Sequence, residues 1–339
     1  MQAAIKAIEY YLPERVLSSS DLADEFPEWS VDKIQEKTGI AARHIAASDE
    51  CSSDLGFAAA RKLFDAGACR PEDVDYLLFC TQSPDYFLPT TACLLQHRLG
   101  IPTSAGALDF NLGCSGFVYG LGLAQGLIAT GQAANVLLIT AETYSKFMHP
   151  RDKSVRTIFG DAAAATLVRA VDAVDRCIGP FVFGTDGAGA KNLIVATGGM
   201  RCPRTAESAV ATEDASGNLR SRDNLFMDGA QIFNFTLQAV PNAVNRLLQK
   251  SGKRLEDVNL FVFHQANQFM LEHLRRKLKV PSDRFCIAMS DCGNTVSSTI
   301  PIALKIASVA GQLNVGDLAM LVGFGVGYSW GATFIRWVA

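Results

Sequence analysis

Charge is scarce in this sequence and neither sign dominates. Only 19% of the 339 residues are Asp, Glu, Lys or Arg, and the net charge is −3. That balance offers no basic surface to draw nucleic acid or an anionic membrane as the main partner. Long apolar runs are missing too. No stretch is long and apolar enough to span a bilayer, and the N-terminal MQAAIKAIEYYLPERVL lacks the apolar core of a signal peptide. The nine cysteines are odd in number and scattered, with no C-x-x-C pair. They exclude a disulfide framework and a zinc site and read as reduced thiols in a cytoplasm, so no metal is expected. A dinucleotide fingerprint is also absent, because Gly323-Phe324-Gly325-Val326-Gly327 fails the G-x-G-x-x-G spacing and no helix is expected after it. What the sequence does have is core: 49% of residues are hydrophobic. That suits an α/β enzyme whose subunit hides further surface in an oligomer.

The chain repeats itself. Glu72-Asp73-Val74-Asp75-Tyr76-Leu77-Leu78-Phe79 is echoed by Glu256-Asp257-Val258-Asn259-Leu260-Phe261-Val262-Phe263, 184 positions later. In each, acidic residues lead into an apolar run of central-strand length. Met289–Ala310 echoes the strand, turn and helix around Cys114, Asp317–Val322 echoes Asn135–Ile139, and Ser329–Val338 echoes Gly160–Val168. The period is too long for a solenoid. It predicts two similar α/β halves, 1–175 and 176–339, each with a mostly parallel sheet, packed around paired central helices. The duplication also places the loops before the two central helices close together. Two irregular segments remain. Thr197–Asn224 reads as a surface excursion, and Thr143–Arg156, with Lys146, Arg151, Lys153 and Arg156, as a loop positioned to overhang a site.

The candidate chemistry centres on Ala107–Ile128. A short β-like run turns through Asn111-Leu112-Gly113 into Cys114 and a helix apolar on every side, with Gly116, Gly120, Gly122 and Gly126 inside it. Four glycines in a helix predict close neighbours, since each costs about 1 kcal/mol of helix stability against alanine. Cys114 stands at the helix N-terminus, where free N–H groups and the macrodipole favour a thiolate. The alternative is an inert buried cysteine. His264 ends the strand Leu260–Phe263 and begins HQAN, with a helix from about Gln268; a structural hydrogen-bonding role is its alternative. Asn294 lies in DCGNTVSS, where Gly-Asn is also an ordinary turn dipeptide. Taken together, a thiol at a helix N-terminus, a strand-end His, an Asn from the repeat-related turn and a Gly-rich donor loop describe a nucleophilic site.

The motifs KTGIAARHI (Lys37–Ile45), NLGCSGF (Asn111–Phe117), IFGDAAAA (Ile158–Ala165), HQAN (His264–Asn267), GNTVSSTIP (Gly293–Pro301) and GYSWGA (Gly327–Ala332) resemble those of the thiolase superfamily, within it the β-ketoacyl-acyl-carrier-protein synthase III group. The resemblance runs along nearly the whole chain. It implies a thiolase-like fold in five layers, α-β-α-β-α, with buried central helices. It also implies a catalytic triad of Cys114, His264 and Asn294 and an oxyanion hole from the backbone N–H groups of Cys114 and Val326. The implied reaction is ping-pong: an acyl thioester loads Cys114, then decarboxylative Claisen condensation with malonyl-carrier protein gives a 3-oxoacyl product. The implied partners are acyl carrier protein, acyl thioesters including CoA, and a second copy in a homodimer; no cofactor is implied.

The resemblance weakens at the substrate edge. Where relatives often sandwich the CoA adenine between a Trp and an Arg four residues later, this chain has Lys33 and Lys37. A docking Arg two residues past HQAN is replaced by Phe269, and an Arg-Gly pair ahead of IFGD becomes Lys153-Ser154. Asn267 belongs to the same candidate binding edge. Arg276 and Lys277 fall where relatives keep basic residues for the carrier protein; helix-end cations complementing the dipole are their alternative. Leu88 aligns with an often aromatic residue that reaches across the dimer into the partner's acyl pocket. Retained chemistry with altered donor recognition leaves room for an acyltransferase or condensing enzyme of secondary metabolism, cofactor or surface-glycan synthesis that transfers its acyl group without decarboxylation. A non-catalytic partner subunit is disfavoured, because such partners usually lose the nucleophile.

Overall fold

Alternation along the strands sorts the molecule into layers, as seen in a computed structural model that describes residues 1–174 and 176–339. The first sheet is built from β1 (Gln2–Tyr11), β2 (Tyr76–Cys80), β3 (Gly106–Phe110), β4 (Asn135–Glu142) and β5 (Ala162–Val171), in the order β1-β5-β4-β2-β3. The second uses β6 (Ile178–Thr185), β7 (Leu260–Phe263), β8 (Leu318–Gly325) and β9 (Ser329–Arg336), in the order β7-β8-β9-β6. The helices that matter here are α1 (Val31–Thr38), α2 (Ser52–Asp65), α3 (Thr91–Leu99), α4 (Gly116–Ala129), α5 (Gly229–Ser251), α6 (Gln268–Leu278) and α7 (Thr299–Val309).

Leu78, Val136 and Leu138 point from the first sheet toward α4 and α7, and Leu260, Val262, Ala319 and Leu321 point at the same helices from the second. Their strand neighbours face outward. Leu77, Phe79, Leu137 and Ile139 pack on α2 and α3, while Phe261, Phe263, Met320 and Val322 pack on α5 and α6. Strands covered on both faces must be apolar at consecutive positions, which is why they read as continuous runs. The result is the expected five layers, helix-sheet-helix-sheet-helix.

The internal repeat extends to single hydrogen bonds. Arg70 N–H donates to Asp73 and Arg254 N–H to Asp257, at 3.2 and 2.8 Å, in matching one-turn helices ahead of β2 and β7. Asp75 then accepts from Ala134 and Asn135 N–H, and Asn259 from Leu318 N–H, all at 2.8 Å. The sheets are mixed, however, where mostly parallel ones were expected. β2 runs parallel to β3 and β4, but β5 is antiparallel to β4 and β1. In the second half β7 and β8 are parallel, while β9 is antiparallel to β8 and β6. The reason is local: only Val326–Tyr328 join β8 to β9, too short for the crossover that a parallel pair needs. The strand expected in Met289–Ala310 shrinks to a bridge between Asn294 and Phe159. Asp175, at the expected boundary between halves, lies outside the described residues.

Candidate active site

Cys114 lies in the loop between β3 and α4, two residues ahead of the first helical residue, and is buried. The loop folds tightly because Gly116 N–H bonds the Gly113 carbonyl at 2.7 Å. Two glycines make room for it. A Cβ at Gly116 would lie 2.3 Å from the Cys80 sulfur, and one at Gly325 would lie 2.8 Å from the Cys114 sulfur. Of the other helix glycines, Gly120 is equally hemmed in by Leu138, whereas Gly126 has open space around it, so close packing explains only part of the run. One side of α4 also reaches the surface at Leu123, against the expectation of a helix buried all round.

Burial favours the thiol form of Cys114. Burial pushes the Cys114 group up to about 12, and the nearby Glu142 carboxylate pushes the same way. Hydrogen bonds from the N–H groups of Cys114 itself and Val326 pull it down by less. The helix N-terminus therefore does not by itself give the expected thiolate; desolvation wins.

His264 closes β7, its N–H bonded to the Val322 carbonyl at 2.8 Å and its Nδ1 2.8 Å from the Thr299 hydroxyl. The ring also hydrogen-bonds the Val296 backbone. Burial lowers this imidazole to about 3, so it is neutral at physiological pH. Asn294 is held on both sides of its backbone, N–H to the Ile158 carbonyl at 2.9 Å and carbonyl to Gly160 N–H at 3.1 Å. Its Oδ1 accepts from Val296 N–H at 2.9 Å, which leaves the amide NH2 as the outward donor. Val296 adopts φ +55, a conformation that costs a β-branched residue about 1–3 kcal/mol. A Cβ built at Gly113 would come within 3.2 Å of the Val296 side chain, so the Asn294 turn meets the Cys114 loop through this residue. A cavity of about 300 Å³ opens alongside, lined among others by Gln82, Tyr144, Phe147, Leu193, Leu225 and Val326.

Of the two irregular segments, one lines that cavity, while the other is only flanked by residues that do. Tyr144 and Phe147 come from the expected overhang. The excursion is less free than its composition indicated. Asp223 accepts from Ser208, Asp214 from Ser216 and Asn218, and Arg220 pairs with Asp152 at 3.0 Å. At its roots Leu193–Ile194 and Phe226–Met227 pair as short strands.

The substrate-edge residues are dispersed. Asn267 spends its side-chain oxygen capping α6, through Met270 N–H at 2.8 Å, so its local role is structural. Phe269 is exposed on α6 and packs against Phe233 and His273. Arg276 pairs with Glu272 at 3.6 Å, and Lys277 bonds the Leu237 carbonyl at 2.7 Å. Lys153 pairs with Glu28 at 2.7 Å. Leu88 is 83% exposed beside Tyr86 and Phe87, on a loop that projects outward. Lys33 and Lys37 hold their ammonium groups 5.2 and 5.0 Å from the centre of the Trp29 ring. An aromatic ring is thus present at this edge. It was missed because it precedes the aligned position by one helical turn. Glu142, Val296 and Thr299 were missed as well, because a buried acid or a strained turn has no sequence motif.

Fold and site together define a condensing acyltransferase of thiolase architecture. Residues 108–187 match the family described as 3-oxoacyl-[acyl-carrier-protein (ACP)] synthase III, and 248–337 match its C-terminal part. The chain is 36% identical to a β-ketoacyl-[acyl-carrier-protein] synthase III from Caldanaerobacter subterraneus subsp. tengcongensis, over 99% of this chain and 98% of the relative. A crystal structure of a 3-oxoacyl-(acyl-carrier-protein) synthase III superposes with a TM-score of 0.99 at 55% identity, covering 99% of this chain and 100% of that one. A 3-oxoacyl-(acyl-carrier protein) synthase from Burkholderia xenovorans LB400 gives a TM-score of 0.90 at 35% identity, over 100% and 95% of the two chains. The chain belongs to the β-ketoacyl-acyl-carrier-protein synthase III family.

Proposed function

We propose that this enzyme loads an acyl group onto Cys114 and condenses it with malonyl-carrier protein. The observation that carries this reading is a pair of uncharged donors beside a buried thiol: His264, neutral through burial, and Asn294, its amide turned outward by Val296. As the sulfur attacks the incoming thioester, the thiol proton leaves and the departing thiolate takes one up. The N–H groups of Cys114 and Val326, already directed at the sulfur, suit the developing oxyanion. The malonyl group then loses CO₂, and the enolate draws on hydrogen bonds from the Asn294 amide and from His264 Nε2–H, in the tautomer whose Nδ1 accepts the Thr299 hydroxyl proton in place of the Val296 carbonyl. A carboxylate in place of Asn294 would repel that charge. The carbanion attacks the acyl-Cys114 carbonyl, and the 3-oxoacyl thioester leaves on the carrier. Nothing in this sequence of steps calls for a cofactor.

A homodimer is part of the reading. β3 is the last strand of its sheet, with one free edge, and Leu108 on it is 40% exposed. A free edge beside exposed Phe87, Leu88 and Leu123 suits pairing with a second copy. Light scattering should give twice the mass of the chain. Nine scattered cysteines without a C-x-x-C pair suit a reducing cytoplasm, and no helix among the described residues is long and apolar enough to cross a membrane. The chemistry is tested by assaying CO₂ release from malonyl-carrier protein together with acyl-enzyme mass. Acylation without CO₂ release in the wild type would point instead to transfer onto an amine or hydroxyl.

A further inference from the structure

A buried acid joins the two halves of the site at a point the proposed reaction does not use. Glu142, at the end of β4, has no solvent exposure. Its Oε2 accepts from Gln82 N–H at 3.0 Å and from the Ser83 hydroxyl at 3.2 Å, both on the nucleophile side. Its Oε1 accepts from the Ser297 hydroxyl at 2.9 Å, on the Asn294 side. One residue on, Ser298 bonds Thr140 of the same strand, hydroxyl to hydroxyl at 2.9 Å and hydroxyl to carbonyl at 3.0 Å. Ser297 directly follows Val296, whose left-handed backbone directs its N–H at Asn294 Oδ1. A valine leaves that conformation unless its neighbours over-determine it. From the opposite half of the molecule Glu142 does so through Ser297, beside Thr140, which holds Ser298.

From this geometry we infer that Glu142 is a positioning residue: through Ser297 it holds Val296 in its left-handed turn and so aims the Asn294 amide at the substrate. The inference rests on the proposed decarboxylative reaction. Glu142 does not carry a proton in the chemistry. The titratable groups around it are Cys80, Cys114, Tyr144 and Asp161, all coupled to it electrostatically. Three donors converge on the two carboxyl oxygens. A glutamine can keep most of that network, whereas a leucine keeps none of it.

Glu142→Leu and Ser297→Ala should slow decarboxylation of malonyl-carrier protein about tenfold or more, as expected for losing a buried hydrogen bond at a strained position. In Ser297→Ala, acylation of Cys114, read by intact mass, should stay within about twofold, and KM for the acyl donor should not move. Glu142→Gln should recover most of the activity. Val296→Gly, which takes a left-handed backbone without steric cost, should partly restore decarboxylation in the Ser297→Ala background. Equal loss of acylation and decarboxylation would show general damage and overturn the assignment, as would a Ser297→Ala enzyme that decarboxylates at the wild-type rate. A wild type that releases no CO₂ would refute the proposed reaction instead. The crystal structure of Ser297→Ala then decides the inference: Val296 should leave the left-handed region and the Asn294 amide should turn, and persistence of both would refute it. Ser297→Ala removes one hydroxyl, so the test survives if Glu142→Leu fails to fold.

Discussion

The Thr299 hydroxyl lies 2.8 Å from Nδ1 of His264, and the ring also hydrogen-bonds the Val296 backbone. The same hydroxyl sits 3.0 Å from the Val296 carbonyl, which ties the His264 ring to the turn that also fixes Asn294. The two expected enolate donors therefore form one mechanical unit. His264→Ala and Asn294→Ala should each still accept an acyl group on Cys114, while decarboxylation falls by about a hundred-fold or more, the usual loss for a preorganised donor. If both variants release CO₂ at the wild-type rate, the division of labour is wrong.

Cys114 should behave as a buried thiol with a late titration. Its alkylation rate should keep rising through pH 9, without the plateau near neutrality that a stabilised thiolate gives, because burial holds the group near 12. Cys114→Ala should abolish the acyl-enzyme and change stability little. An acyl adduct on another cysteine, with Cys114 untouched, refutes the assignment.

Two buried groups give opposite pH effects on stability. The Glu142 acid is raised to about 8 in the fold, so its contribution is fully present below the ordinary carboxylate range near 4.5 and is lost as pH rises through about 8. His264 is lowered to about 3, so its contribution is fully present above about 6.5 and is lost as pH falls toward 3. Melting temperatures should show Glu142→Gln losing less stability than wild type between pH 5 and 8, and His264→Gln losing less between pH 7 and 4. Parallel curves for wild type and both variants would contradict the burial argument.

The layers were legible because each strand is covered on both faces. Residues such as Leu77, Leu78 and Phe79 then leave a continuous apolar signature, and a duplicated Glu-Asp-Val marks both copies. Strand direction was not legible, since Ala162–Val168 carries no trace of whether it returns or crosses over. Cys114, the strand-end His and the Asn turn stood out because motif and local geometry coincide there. Trp29 did not, because its place beside Lys33 and Lys37 depends on how α1 begins after Ser30, its N-cap. Asn267 has a local role that the resemblance does not mention: an Asn ahead of a helix is first a cap, and here it is one.

The donor preference follows from Trp29. Lys33 and Lys37 both hold their charges over its ring, and Trp29 packs against a small apolar cluster that includes Leu22 and Ile34. An adenine could stack on Trp29 only by displacing ammonium groups already held there by cation–π attraction, at about 0.5–1 kcal/mol each when exposed. The lysines can still attract phosphates, but as flexible point charges screened within about 8–10 Å at ordinary ionic strength. A carrier protein spreads the same attraction over a wider acidic surface, with Arg276 and Lys277 further along. Competition kinetics at fixed ionic strength should therefore favour carrier-bound acyl groups over acetyl-CoA. Lys33→Ala together with Lys37→Ala should narrow the gap by freeing the ring face while removing charge that the carrier uses. A clear preference of the wild type for acetyl-CoA, unchanged in the double variant, would mean that Trp29 and its two lysines take no part in choosing the donor.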